Sequence, residues 1–217
     1  MKTFIILILT FNLFADCNGK FFSKTPIVQG ISQEVCFDDF AVLYSNEYKI
    51  PLVSFEKLDK SKVEKAKLIL RRNTFHSEVR VQDGPTVKDY YNSGYDKGHM
   101  SPSANMGSKK AQYESFSMIN MIPQVHGNNA GTWKKLEEQA RRLALKYTIY
   151  VVSGPIITGN ETKLNQRVLV PSILYKSIYV VELNSTSIYI LKNDNKGDII
   201  KMDKQMFINT YNINPFP

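Results

Sequence analysis

The strongest constraint on the fold is a change from an apolar run to an amphipathic helix between residues 115 and 147. Residues 115–124 are mostly apolar and end in Pro123-Gln124, and the Gly- and Asn-rich residues 127–131 predict a break in regular structure. Residues 132–147 then carry apolar side chains spaced three and four apart, namely Trp133, Leu136, Ala140, Leu143 and Tyr147. This spacing predicts a helix whose one apolar face packs on a core.

Short runs rich in β-branched and aromatic residues lie on both sides of this helix. Residues 36–44 and 49–58 predict a hairpin, residues 148–157, 167–183 and 186–192 predict further strands, and residues 203–211 predict a last short helix. The charged residues 59–67 are expected to face solvent. The order predicts an α+β domain with a mainly antiparallel central sheet flanked by helices.

The N-terminal residues resemble a secretory signal. Lys2 precedes an apolar run over residues 4–15 that is too short to span a bilayer comfortably. We therefore expect residues 1–19 to be removed, which leaves residues 20–217 as a single secreted or periplasmic domain that is not bound to a membrane. Cleavage after Ala15 would let Cys17 and Cys36 form a disulfide, whereas cleavage after Gly19 would leave Cys36 alone, and the sequence leaves both open.

The formal net charge is +8, and the expected mature chain keeps it because Lys2 and Asp16 cancel. A basic secreted protein of this size favours a polyanionic partner, most often nucleic acid. A merely soluble basic surface is the alternative, so the charge matters only beside a site that uses it. No stable protein partner is evident from the sequence.

One histidine is a candidate general base. The chain has three histidines, and His99 stands directly after Gly98, which lets the backbone turn or a ligand approach closely. Hydrolysis of a phosphodiester needs a base that activates water, positive charge on the phosphate and help for the leaving oxygen. The alternative for His99 is an ordinary surface or hydrogen-bonded core histidine.

The predicted helix offers three further polar candidates. Asn129 before the helix is a candidate Mg²⁺ ligand, because this ion keeps most of its waters and takes few protein ligands. Glu137 and Arg141 follow at steps of four, so Glu137 is a candidate to hold a metal-bound water and Arg141 to reach a phosphate. The alternatives are a helix N-cap for Asn129 and an exposed Glu–Arg pair for the other two.

Together these segments resemble the DNA/RNA non-specific endonuclease family of the ββα-metal (His-Me finger) superfamily. The family's Asp-Arg-Gly-His motif is matched by Asp96-Lys97-Gly98-His99. Its second motif is matched with intact spacing by Asn120, Pro123-Gln124, Asn129, Gly131, Trp133 and Leu136-Glu137. Arg72-Asn73, Ser153-Gly154-Pro155 and the run from Pro171-Ser172 to Tyr175-Lys176 match three weaker family features. The likeness covers roughly residues 36 to 215.

The resemblance implies a role for each matched residue. His99 is the general base, Asn129 binds Mg²⁺ directly, and Glu137 orients a metal-bound water. Asn120 shapes the hydrogen bonds of the active site, while Arg72 and Arg141 lie where the family has arginines for the phosphate and the leaving group. The implied activity is a metal-dependent endonuclease that cleaves DNA and RNA with little sequence preference, leaves 5′-phosphate ends, and uses Mg²⁺ with Mn²⁺ as a substitute.

Lys97 is the one departure from the first motif, where the family has arginine. Lysine keeps the charge but loses the planar two-donor fork, so it acts on a phosphate as a point charge. We expect Lys97 to bind substrate and to support catalysis, with a lower rate or a changed preference. The alternative function is a secreted basic nucleic-acid-binding protein on the same fold with weak or no cleavage.

Overall fold

The computed structural model describes Cys17, Lys20 and residues 22–217. The predicted signal segment therefore lies almost entirely outside the described residues. Helices in the described part are α1 (Lys60–Lys67), α2 (Lys109–Ser115), α3 (Lys134–Ala144) and α4 (Lys204–Tyr211). Strands are β1 (Gln33–Cys36), β2 (Phe40–Ser45), β3 (Ile50–Leu58), β4 (Asp96–His99), β5 (Met121–Gln124), β6 (Ile149–Ile156), β7 (Thr162–Leu164), β8 (Val168–Val170), β9 (Ile173–Val180), β10 (Ser185–Lys192) and β11 (Ile199–Met202).

The predicted α+β fold with a mainly antiparallel sheet is confirmed. Seven strands form one sheet in the order β1-β2-β3-β6-β9-β10-β11, and all of its neighbours pair antiparallel. Two smaller two-stranded sheets, β4-β5 and β7-β8, stand beside it. The predicted hairpin is β2-β3. The predicted strand over residues 167–183 is two strands, with Pro171 and Ser172 between β8 and β9.

The two faces of the large sheet are covered by different helices. Alternate residues of a strand point to opposite faces, and the core clusters follow this alternation. Phe55, Val152 and Tyr179 belong to a cluster that includes Phe207 of α4. Leu58, Val151 and Ile178 belong to a second cluster, with Val63 of α1 and Ala140 and Ala144 of α3. The second face carries the candidate site.

Residues 59–67 are mostly exposed, as predicted, and most of them also form helix α1. Asp59 caps the helix by accepting a hydrogen bond from the Lys62 backbone N–H at 2.9 Å. Val63 and Ala66 are buried at a spacing of three, whereas Lys60, Lys65 and Lys67 are exposed. Long charged side chains around two small apolar residues gave a weak helical signal in the sequence.

The Gly- and Asn-rich segment before α3 is also helical, so the predicted break is wrong. Asn128–Trp133 forms a π-helical turn that runs directly into α3. The Asn128 side chain fixes this turn, because Nδ2 donates to the Lys192 backbone oxygen at 2.7 Å and Oδ1 accepts from Gln124 Nε2 at 2.5 Å. Such wide turns are rare and often occur at functional sites.

A disulfide joins Cys17 to Cys36, and Cys17 is 2% exposed in the core. The sequence left this bond open. It is kept by a chain cut after Ala15 and lost from one cut after Gly19, so the boundary at residue 19 stays a prediction. In the part of the chain that is described, no helix combines the length and the apolar character needed to cross a bilayer.

Candidate active site

The candidate site is built on β4, β5 and the helix that follows them. Strands β4 and β5 pair antiparallel with Gly98 opposite Ile122 and His99 opposite Met121. Gly98 is required by packing, because a Cβ at this position would lie 2.0 Å from Gln124 Oε1. Gln124 also reaches Asn128, so the same residue ties the hairpin to the start of the helix. This is the predicted ββα unit.

His99 ends β4 with a buried imidazole. The residue is 8% exposed, and its ring centroid lies 4.8 Å from that of Phe116 and 5.8 Å from that of Phe75. Among the described residues, no group hydrogen-bonds its Nε2. Burial, with a smaller contribution from the charge of Arg71, lowers the pKa of His99 to about 3. The imidazole is therefore neutral at physiological pH, as a general base must be.

Trp133 connects this histidine to the helix. Its indole Nε1 donates to the His99 backbone oxygen at 3.1 Å, and the whole residue is buried. This hydrogen bond goes to the main chain of His99, so it fixes the end of β4 without occupying either nitrogen of the imidazole. The tryptophan predicted to lie on the apolar helix face is therefore also the residue that positions the base.

Asn129 is held by a carboxylate and is not a helix N-cap. Its Nδ2 donates to Asp96 Oδ2 at 2.9 Å, and Gly127 occupies the cap position of the turn. Because Asp96 binds the amide nitrogen, it fixes which end of the amide carries the free carbonyl oxygen. His126 Nδ1 also lies 2.9 Å from the same carboxylate oxygen. Asp96 and His99, at the two ends of β4, thus both contact the helical segment.

Glu137 lies on α3, half-buried, among charged groups. Burial raises its pKa to about 7, and the charges of Lys176 and Arg141 act in the opposite direction. No direct ion pair joins Glu137 to Arg141 among the described contacts. Arg141 Nη1 instead donates to Asn105 Oδ1 at 3.1 Å. Asn105 Nδ2 in turn donates to the buried Glu56 at 2.7 Å.

Lys176 is a charged residue of this region that the sequence matched to a family feature but that received no role in the predicted site. It lies in the middle of β9, is 1% exposed, and donates from Nζ to Ser153 Oγ at 2.6 Å. Its Nζ also lies 4.1 Å from the ring centre of Trp133, a cation–π geometry. Burial lowers its pKa to about 8, although nearby Glu137 and Glu56 favour the charged form. The sequence feature that points to this residue is a lysine within the otherwise mostly apolar strand 173–180.

Two arginines of the upstream loop occupy different environments. Arg72, the residue expected to bind phosphate, is exposed, and its backbone N–H donates to Gln112 Oε1 at 3.1 Å. Arg71 has its guanidinium 5.5 Å from the ring centre of Phe116, the ring that packs against His99. The charge of Arg71 contributes to the pKa shifts of both His99 and Glu137. Arg71 therefore lies closer to the candidate chemistry than the motif alone implied.

Lys97 and Asn120 flank the histidine in different ways. Lys97 Nζ lies 5.1 Å from the ring centre of Phe75 and 5.8 Å from that of Tyr90, so two aromatic faces support its charge. Asn120 is fully buried, and both ends of its amide are hydrogen-bonded within the protein. It accepts from Ser101 N and Ser54 Oγ and donates to the backbone oxygens of Ser101 and Ser115. Asn120 thus anchors the segment that follows His99.

The residues present fit a hard divalent cation. A carboxamide oxygen and a carboxylate are the ligand types that Mg²⁺ prefers, and the ion needs few of them. Among the described residues, the one group of three close His, Cys, Asp or Glu ligand atoms is at Cys17, Glu34 and Cys36, where the disulfide lies. Asn129 carries an amide oxygen and Glu137 a carboxylate that would act through water, and these ligand types suit an ion that keeps most of its waters.

Together, the hairpin and the helix that crosses it place this chain in the ββα-metal class of nuclease folds. The model of the DNA/RNA non-specific endonuclease family matches residues 17–214, and the chain belongs to that family. It is 31% identical over 164 residues to human mitochondrial nuclease EXOG, covering 66% of this chain and 43% of that protein. It is 38% identical over 118 residues to a nuclease of Nostoc sp., covering 52% of this chain and 42% of that protein.

A solved structure carries the same fold. The crystal structure of the EndoG/EndoGI complex, which concerns the mechanism of EndoG inhibition, contains a chain that matches with a TM-score of 0.75 and 25% identity. The match covers 83% of this chain and 84% of that chain. The present chain spans less than half the length of the two curated relatives named above.

Proposed function

We propose that this protein is an Mg²⁺-dependent endonuclease that hydrolyses DNA and RNA with little sequence preference and leaves 5′-phosphate ends. The observation that carries the proposal is the imidazole of His99. A neutral ring with an unpartnered Nε2 costs stability in a core and has no structural use for that nitrogen. Water activation needs an unprotonated base, and a neutral imidazole carries a lone pair on one ring nitrogen.

The other residues of the site have roles that follow from their contacts. Asn129 and, through water, Glu137 would hold Mg²⁺, which when bound supplies positive charge to the phosphate and acidifies a water for the leaving oxygen. Asp96 fixes the Asn129 amide, and Trp133 fixes the backbone of His99. His99 would accept the proton of the attacking water on the unprotonated nitrogen of its ring.

Cations around the site would bind the sugar–phosphate backbone. Lys97, Arg71, Arg72 and Arg141 lie on segments adjoining His99 or on α3, and the chain carries a net charge of +8. Contacts to phosphate carry no sequence information, because every nucleotide presents the same group. Cleavage with little sequence preference is the expected result.

Export from the reducing cytosol is part of the proposal. Residues 1–15 have the charge and apolar run of a signal segment, and the Cys17–Cys36 bond suits an oxidising compartment. Several relatives are named as mitochondrial, so the compartment needs its own test. N-terminal sequencing of the protein recovered outside the cytosol would give the cleavage site, and a mature chain that keeps the Cys17–Cys36 bond must be cut before residue 17 instead of after residue 19.

The activity is tested with the purified mature protein on plasmid DNA and on RNA, in Mg²⁺ and in EDTA. Nicking of the plasmid and degradation of the RNA in Mg²⁺ alone are expected. Binding of both nucleic acids without cleavage would contradict the proposal and favour the non-cleaving binding protein. Cleavage that persists in EDTA would contradict the metal requirement.

A further inference from the structure

A groove beside the candidate site has not been assigned a role. It has a volume of about 380 Å³ and lies between α1, α3 and the short helical turn Ser103–Asn105. That volume falls within the roughly 300–1,000 Å³ of small-molecule sites. Arg71 and Arg141 line it, and both are also charged neighbours of Glu137. The groove is therefore continuous with the residues around the candidate chemistry.

The charge of the groove favours an anion. Its lining includes four cations, Lys67, Arg71, Arg141 and Arg142, against one carboxylate, Glu138. Arginine suits this role because its planar fork donates two parallel hydrogen bonds to phosphate oxygens. An anion of the substrate, rather than a neutral small molecule, fits this set.

The uncharged part of the groove is mainly apolar. Val63, Ala66, Ile69, Ala104 and Leu145 line it, together with the polar Ser103 and Gln112. An anion-binding groove with apolar walls suits a ligand that has both a charged group and a flat apolar face. A nucleotide has both, and its base face is free only when the base is unpaired and unstacked.

We propose that this groove binds an unpaired nucleotide of the substrate strand next to the scissile phosphate, with its phosphate on the arginines and its base against the apolar wall. The inference rests on the proposed nuclease function and adds a preference for single-stranded substrate. Glu138, the one carboxylate of the lining, disfavours a second phosphate there and so limits the site to one nucleotide.

The test compares two charge deletions at α3. Arg142→Ala removes an exposed cation that lines the groove, and Lys146→Ala removes an exposed cation just beyond the same helix that does not. For Arg142→Ala, kcat/KM on a single-stranded oligonucleotide is expected to fall about 10-fold or more, the scale of a lost hydrogen bond between charged groups. The slope of log(kcat/KM) against log[salt] is expected to become shallower by about 0.7, the value for one phosphate contact on a single strand. Lys146→Ala is expected to change neither.

A third variant tests the shape of the groove. Ala104 is exposed on the groove wall, and Ala104→Trp fills the space without removing a charge, while Ala104→Ser is its matched control. The tryptophan variant is expected to lose oligonucleotide cleavage and the serine variant to keep it. A loss as large on a duplex of the same sequence would overturn the assignment of an unpaired nucleotide.

The nuclease function and the groove assignment are contradicted by different results. Absence of cleavage by the wild-type chain in Mg²⁺ would overturn the nuclease function. The groove is still tested in that case, because the salt slope of oligonucleotide binding is also measured in EDTA by fluorescence anisotropy. Equal slopes for Arg142→Ala and Lys146→Ala would overturn the groove assignment and leave only the general effect of net charge.

Discussion

The low pKa of His99 predicts how the stability of this protein depends on pH. The unfolded chain protonates this histidine near its ordinary pKa of 6.5, whereas the folded chain does so only near 3. Between these values the unfolded state binds a proton that the folded state excludes. With respect to His99, the free energy of unfolding is therefore highest above pH 6.5 and falls as the pH is lowered toward 3.

The size of the effect follows from the two pKa values. Each unit of pKa difference corresponds to about 1.4 kcal/mol, so the free energy of unfolding should fall by about 2 kcal/mol between pH 7.5 and pH 5 from this residue alone. At pH 4 the loss should reach about 3 kcal/mol. The buried ring, which is 8% exposed, justifies using the shift without a large correction for solvent screening.

Urea unfolding at these pH values measures the effect, with His99→Gln as the variant and His126→Gln as the control. His99→Gln should remove the 2 kcal/mol component at pH 5, and His126→Gln, which changes a side chain that is 78% exposed, should retain it. The three imidazole signals can also be titrated directly by NMR. A pKa near 6.5 for His99, or the same pH dependence in both variants, would refute the reasoning.

Three further substitutions test individual residues of the site. His99→Ala should reduce plasmid hydrolysis by at least about 100-fold, the usual scale for a lost general base; near-normal turnover would remove His99 from the mechanism. Asn129→Ala should raise the Mg²⁺ concentration needed for half-maximal activity, whereas an unchanged metal titration would argue against the ligand role. Asn120→Leu leaves three buried backbone groups unpaired, since Ser54 Oγ keeps its bond to Ser101 Oγ, and should lower the free energy of unfolding by about 3 kcal/mol, at about 1 kcal/mol per group; a loss below about 1 kcal/mol in urea unfolding would contradict the anchoring role.

Some predictions succeeded because they depended on local patterns. The short apolar and aromatic runs in residues 36–58 gave the β2-β3 hairpin, and the spacing of Trp133, Leu136 and Ala140 gave the buried face of α3. The two motifs around His99 and Asn129 gave the family, because their residues and spacing match it. In each case the information is carried by residues close together in the chain.

Other features depend on contacts between segments that are far apart in the chain. The sequence favoured Arg72, whose role stays a prediction, and the structure adds Arg71, which lies against Phe116, the ring that packs on His99. The composition of residues 127–131 predicted a break in regular structure. In the folded chain, hydrogen bonds from Asn128 to Gln124 and Lys192 fix a π-helical turn there. Composition alone gave no sign of these partners.

The family, the class of fold and the residues proposed for the chemistry can be inferred from the amino-acid sequence, because motif spacing and hydrophobic period are local properties. The protonation state of His99, the burial of Lys176 beside Trp133 and the Cys17–Cys36 bond become visible only in the folded chain. A pKa or a buried charge depends on every group packed around it. Those groups come together only when distant strands and helices fold onto one another.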